Sequence, residues 1–197
     1  GVLGREEKLH YAPKSGKLKI IIPEGERVRV GETVAQVIVP SFDSKTGEAY
    51  FDIKAAQAGL VRYYLDGMEE VFTPKNLYQL DIDKIQLSEK GPEKFQAGSK
   101  VTQGKPVLKV VNNLDPIYVI GFLNEQLKPT GNPKNTLLLV SFTENKWLEG
   151  KLLDSVFRNR SNQIVFSLND YQTPLITART HDFRLITERM EGYYVPE

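Results

Sequence analysis

The feature that most constrains this chain is a residue spacing written twice. The stretch "GERVRVGETVAQV" at 25–37 has the skeleton Gly-x-x-Val-x-x-Gly-x-x-Val-x-x-Val, and "GSKVTQGKPVLKV" at 98–110 repeats it. A period of three suits neither a helix, with 3.6 residues per turn, nor the two-residue alternation of a strand. It suits very short strands broken by tight turns, where glycine takes backbone angles closed to β-branched residues and valine drops into a small core. Glu24-Gly25, Val30-Gly31, Ala97-Gly98 and Gln103-Gly104 read as the turns. The repeat reaches further back, since "APKSGKLKIII" at 12–22 aligns with "AAQAGLVRYYL" at 55–65. Ala12 thus returns as Ala55 and Gly25 as Gly98, so the offset grows within the second copy, which carries an insertion between Leu65 and Gly98. Two half-units, each too small for a core of its own, are expected to interlock into one flattened β structure.

Composition narrows the function classes. In 197 residues there are 26 Lys+Arg against 25 Asp+Glu, a net charge of +1, which argues against a nucleic-acid footprint. Cysteine is absent, so disulfides and thiolate metal sites are excluded. No apolar run approaches the roughly 20 residues of a membrane helix. The chain opens at "GVLGREEKLH" and reads as a fragment whose membrane anchor lies outside it.

From Leu114 onward the strands lengthen. "IYVIGFL" (117–123), "TLLLVSFT" (136–143), "WLEGKLLDSVF" (147–157) and "QIVFSLN" (163–169) are joined by short polar turns, the pattern of a small antiparallel barrel or sandwich. The region around Asp66 to Ala97 reads differently. Thr73 is placed as a helix N-cap with Pro74 at the first helical position, Leu77 and Leu80 fall on one face, and Gly91-Pro92 ends the segment. One or two short helices or turns covering a sheet edge are expected there.

The stretch "APKSGKLKIIIPEGERVRVGETVAQV" resembles one half of a biotinyl/lipoyl domain. Paired copies followed by a β domain resemble the adaptor (membrane-fusion) proteins of bacterial transporters, the HlyD-like family. "LKVVNNLDPIYVIGFLNEQL" at 108–127 is similar to that family's passage from its lipoyl-like half into its barrel, and "RMEGYYVPE" at 189–197 to the segment that closes the barrel. The resemblance covers roughly 10–65 and 97–197. It implies a mainly β protein: a barrel-sandwich hybrid of two lipoyl-like halves over 8–112, with a partly helical insertion at 66–97, then an adaptor-type antiparallel β-barrel over 113–197. It implies a non-enzymatic extracytoplasmic scaffold of an efflux or secretion complex. Such a protein is anchored to the cell membrane, partnered by an inner-membrane transporter or other envelope protein, self-associating, and free of cofactor, metal and nucleic acid. The long helical hairpin that such adaptors carry between their halves has no room between Val39 and Ile53. That departure puts docking to an outer-membrane channel in doubt and leaves room for an envelope structural protein unrelated to transport.

The same half-domain also serves cofactor carriers, in which biotin or lipoate sits on a lysine at the tip between the halves. Lys45 in "DSKTG" is the candidate by position, because Lys54 falls in the following strand. Lys45 lacks the Met-Lys-Met setting and the preceding acid of such sites, and its surroundings are ordinary turn composition. The carboxylates Asp66, Glu69 and Glu70 invite an acid–base or metal reading, but no histidine stands near, and a solvated loop is expected. His10 and His181 lie far apart, in different proposed domains, and no metal or nucleophile motif surrounds either. Trp147 is read as a barrel-end core or cover residue. One ring of each pair Tyr63-Tyr64 and Tyr193-Tyr194 should face outward, since neighbours on a strand alternate. The turn Arg158-Asn159-Arg160 is read as solvated.

Overall fold

The computed structural model describes residues 1–77, 80, 92–123, 136–143, 146–158, 161–169, 175 and 179–186. Among these, the structure is mainly β, with turns between the strands and almost no helix. The chain divides into two compact units, one of Arg5–Asp115 and one of Gly1–Gly4 with Pro116–Glu197.

In order along the chain, β1 (Val2–Gly4) joins the second unit, and the first holds β2 (Glu7–Tyr11), β3 (Gly16–Ile20), β4 (Arg27–Val28), β5 (Thr33–Pro40), β6 (Glu48–Lys54), β7 (Gly59–Arg62), β8 (Tyr64–Leu65), β9 (Glu93–Lys94), β10 (Lys100–Val101) and β11 (Pro106–Val111). Its two main sheets run β10-β3-β5-β6 and β4-β7-β11-β2. Exchanging each strand of the first copy for its partner in the second converts one order into the other. The molecule therefore carries out in space the repeat written in its sequence.

The two halves are cross-bonded, and the bonds come in matched pairs. The Gly25 N–H donates to the Val61 carbonyl at 2.8 Å, and its counterpart Gly98 donates to Leu18 at 2.8 Å. Gly31 donates to Ala55 at 2.8 Å, and Gly104 to Ala12 at 2.9 Å. The return bonds match as well: Val61 to Glu26 at 3.0 Å and Leu18 to Ser99 at 2.8 Å. The two-residue strands β4 and β10 each pair with the other copy's strand, β7 and β3 respectively. All four motif glycines have φ between 76° and 85°, which explains why the period of three requires glycine there. Gly16 and Gly59, also counterparts, meet a further demand: a Cβ on either would collide with a backbone carbonyl, of Ile38 and Val111 respectively, and Gly59 holds φ 154° as well. The core between the sheets takes residues from both copies, among them Leu18, Val28, Val34 and Val37 from one and Val61, Val101, Val107 and Val110 from the other. Neither half could bury this surface alone.

The insertion corrects one expectation. No described residue between Asp66 and Ala97 is helical; Gly91 and most of 78–91 lie outside the described residues. The Thr73 signal is real but local. Leu77 N–H donates to the Thr73 carbonyl at 3.2 Å, and the structure there is turn. A single turn fixes several dihedrals for one bond and does not propagate unaided. What holds the segment is packing, with Phe72 and Leu77 fully buried, and the short pairing of β8 with β9 at its base.

The second unit comprises β1, β12 (Ile117–Leu123), β13 (Leu137–Thr143), β14 (Lys146–Arg158), β15 (Ser161–Leu168) and β16 (Arg184–Ile186), in the order β1-β12-β15-β14-β13-β16 with every pair antiparallel. The chain entering β16 turns this sheet back on itself. Leu3 N–H donates to the Arg179 carbonyl at 2.8 Å, and His181 N–H to the Gly1 carbonyl at 3.0 Å, so the 179–186 stretch bonds β1 at one end and β13 at the other. Inside sit Leu3, Val119, Val140, Leu152 and Phe166, with the Phe183 ring 5.5 Å from that of Phe166. Gly121 leaves the space Phe183 fills. The stretch 189–197, expected to close the barrel, lies outside the described residues.

Candidate functional site

Two places in the first unit concentrate the residues singled out by sequence. One is the tip between β5 and β6. Here 41–47 forms a compact turn: Ser41 N–H donates to the Gly47 carbonyl at 2.9 Å, and Gly47 N–H to the Ser44 carbonyl at 3.0 Å. The Ser44 and Thr46 hydroxyls lie 2.9 Å apart. Gly47 adopts φ 74° to close it. The turn holds Lys45 in solvent, and beside it Phe42, whose ring is wholly exposed at 106%. Sequence reasoning weighed Lys45 and missed Phe42, though an apolar ring in a polar turn was the visible signal. Lys54 lies on β6, as its sequence position suggested.

The other is the acidic cluster, where Glu70 is exposed as expected but the solvated-loop reading is corrected for Glu69 and Asp66. Glu69 is buried, and its Oε1 lies 3.1 Å from Lys109 Nζ. The same ammonium is 3.2 Å from Glu7 Oε2 and 4.0 Å from Asp66 Oδ2. Glu7 Oε1 in turn accepts from Arg5 Nε at 3.0 Å. The Lys109, Glu7 and Glu69 side chains are each 3% exposed or less, so these charges persist only because they pair with one another. The bonds also shape the loop: Asp66 N–H donates to Glu69 Oε1 at 2.8 Å, and Met68 N–H to Asp66 Oδ1 at 2.9 Å. Beside the network is a cleft of about 730 Å³ with Leu9, Leu65, Glu70, Val71, Pro92 and Pro106 in its walls.

Lys109 is the counterpart of Gln36 in the repeat. Gln36 stands on the open outer face of its sheet and donates to Asp52 at 2.8 Å. The insertion lies over the matching face of the other sheet, so the equivalent position must hold a buried cation to meet the insertion's carboxylates. The partnership joins residues 40 and 102 positions apart, which no local pattern reveals.

The remaining candidates are structural. His10 is buried in the first unit. Its Nε2 accepts the Ala56 N–H at 2.8 Å, which leaves its proton on Nδ1, 2.9 Å from the Lys8 carbonyl. Burial is the main cause holding its pKa below the ordinary 6.5, the Lys8 charge adds to it, and the Lys8 carbonyl opposes. His181, in the second unit, stacks edge-on against Phe142 at 5.7 Å. Tyr63 is the inward ring of its pair, and its hydroxyl donates to the Ile22 carbonyl at 2.8 Å. Burial, then the Glu24 charge, drives its pKa up. Tyr64 is half-buried beneath Lys94. Trp147 is 43% exposed on β14, so it is not a core residue. Tyr193, Tyr194, Asn159 and Arg160 lie outside the described residues, as does the side chain of Arg158.

Residues 7–112 match the model of a protein family described as RND related, barrel-sandwich hybrid domain. No curated protein gives a significant match. Solved structures that match include the crystal structure of a succinylglutamatedesuccinylase/aspartoacylase from Rhodobacter sphaeroides, 21% identical over 53% of this chain and 22% of that one, with a TM-score of 0.31. A superposition that loose bears on neither fold nor function.

Proposed function

The chain belongs to the family of RND-related barrel-sandwich hybrid domains, and on that premise we propose that it is a non-enzymatic extracytoplasmic adaptor, a scaffold subunit of a membrane transport complex. The reading rests on one observation: the reciprocal bonding of the two halves. It makes the hybrid a rigid body whose outward features are surfaces and a firm turn. Scaffolding needs such surfaces held in fixed relation, and the buried charges here are occupied with one another. The partner is an inner-membrane transporter or another envelope protein, and a membrane anchor outside this chain holds the adaptor in place. The compact 41–47 turn stands where the HlyD-like adaptors that the sequence resembles carry a helical hairpin, so engagement there is with something near.

The test is photo-crosslinking in cells with the full-length protein carrying a benzophenone amino acid in place of Phe42. An adduct with a membrane transporter is expected. An adduct with cell-wall or division machinery alone would favour an envelope structural role, and no adduct at any surface position would remove the adaptor reading. The exposure of Lys45 at the tip favours one rival, a biotin or lipoate carrier. Intact mass after co-expression with the corresponding ligase decides it: an unmodified chain is expected, and a prosthetic group on Lys45 would replace the adaptor by a carrier.

A further inference from the structure

The outer face of the β10-β3-β5-β6 sheet is open, whereas its counterpart on the other sheet lies beneath the insertion. Strand register assigns its residues. One row across the sheet is Lys100, Lys17, Ile38 and Tyr50; the next is Lys19, Gln36 and Asp52; and Pro40 and Glu48 follow toward the tip. Directly paired residues share a face, and Leu18, Val37 and Ile53, between these, point into the core. The two sides of the face differ in sign. Three exposed lysines stand on β10 and β3, and the exposed carboxylates Glu48 and Asp52 stand on β6, which ends in an exposed Lys54 opposite Thr33, with Ile38 half-buried and Tyr50 45% exposed among them.

The carboxylates are fixed. Asp52 accepts from Gln36 at 2.8 Å and Thr33 at 3.3 Å, and Glu48 accepts the Tyr50 hydroxyl at 2.6 Å. Lys19 lies 5.1 Å from the Tyr50 ring. A surface whose charge changes sign across its own midline is complementary to itself. With a twofold axis running along β5 between two copies, β3 of one lies over β6 of the other. Lys19 then meets Asp52, Lys17 meets the face of Tyr50, and each contact occurs twice, as an isologous pairing requires.

We propose that this face is a pairing surface for a second copy of the chain, sheet upon sheet. The proposal stands whether or not the adaptor reading does. Strands of two, five, eight and seven residues, at about 3.3 Å per residue and about 4.8 Å apart, give about 350 Å² a side. That lies below the roughly 800 Å² of a stable complex, so the dimer is weak and reversible, suited to stacking within a larger assembly.

Sedimentation equilibrium of the whole chain, up to about 0.5 mM, tests it against two charge reversals, Lys17→Glu/Lys19→Glu and Glu48→Lys/Asp52→Lys. The wild type is expected to dimerise reversibly, and more weakly as salt screens the pairs. Each reversal sets like charges opposite one another where Lys17 and Lys19 of one copy meet β6 of the other, and should leave a monomer, whereas an equimolar mixture of the two should regain a one-to-one dimer. A wild type that stays monomeric overturns the proposal, including one that binds a different envelope protein through this face. So do reversal variants that dimerise like the wild type, or a mixture that fails to recover association.

Discussion

Single residues here carry obligations that their types disclose unevenly. The motif glycines announced themselves, because only a backbone at positive φ explains glycine at a period of three. Gly16 and Gly59 gave no such sign; their need comes from a carbonyl brought close by another strand, joined at Gly59 by a φ of 154°. Gly59→Ala is therefore expected to cost about 3 kcal/mol or more, in the range of overpacking with backbone shift. Gly47→Ala, at φ 74° with open space around it, should cost about 1–2 kcal/mol. Urea unfolding of the two variants measures the difference, and equal losses would contradict the close approach. His10 makes a second prediction. Its folded pKa is lowered, so the unfolded chain binds the proton more readily. The stabilisation is complete above about pH 6.5 and is lost as pH falls from there through the lowered value. His10→Ala should remove this component of the pH dependence. It should also cost about 1–3 kcal/mol at neutral pH by orphaning the Ala56 N–H, as read by denaturant titrations at pH 7.5 and 5.5.

At the scale of elements, the insertion is where sequence reading failed and where the failure is instructive. Thr73, Pro74, Leu77 and Leu80 carry a helix-start pattern, yet the described segment is turn. Its stability comes from burying Phe72 and Leu77 and from the Lys109 pairing, not from a cooperative backbone ladder. Removing Lys109 leaves Glu7 and Glu69 buried with one cation fewer, so Lys109→Met is expected to cost about 3–5 kcal/mol. Lys109→Met combined with Glu69→Leu should recover much of that, because an apolar pair does not pay the desolvation of an unmatched carboxylate. Thermal unfolding of the two variants decides the point: a single change costing under about 1 kcal/mol would mean the network is solvated after all. The short turn-linked strands were legible from Gly and Val spacing. The acidic cluster was visible as residues, but its cation lay in another strand of the fold, and Glu69 looked like any loop acid.

For the whole molecule, the double motif carried most of the architecture, because a repeated surface too small to bury itself has few ways to fold. The exchange of bonds between halves follows from that, as does the shared core. The β1 strand was not legible, since its place in the second unit depends on pairing with β12, where Val2 stands opposite Ile120, far along the chain. The central claim is that the two copies form one cooperative body. Native-state hydrogen exchange by NMR, in increasing denaturant, tests it most directly on the amides that cross between copies. Gly25, Gly31 and Val61, and their counterparts Gly98, Gly104 and Leu18, should all converge on one opening free energy and one denaturant slope. If the amides of one copy exchange through a separate, lower-energy opening while the other copy stays protected, the clasp is contradicted.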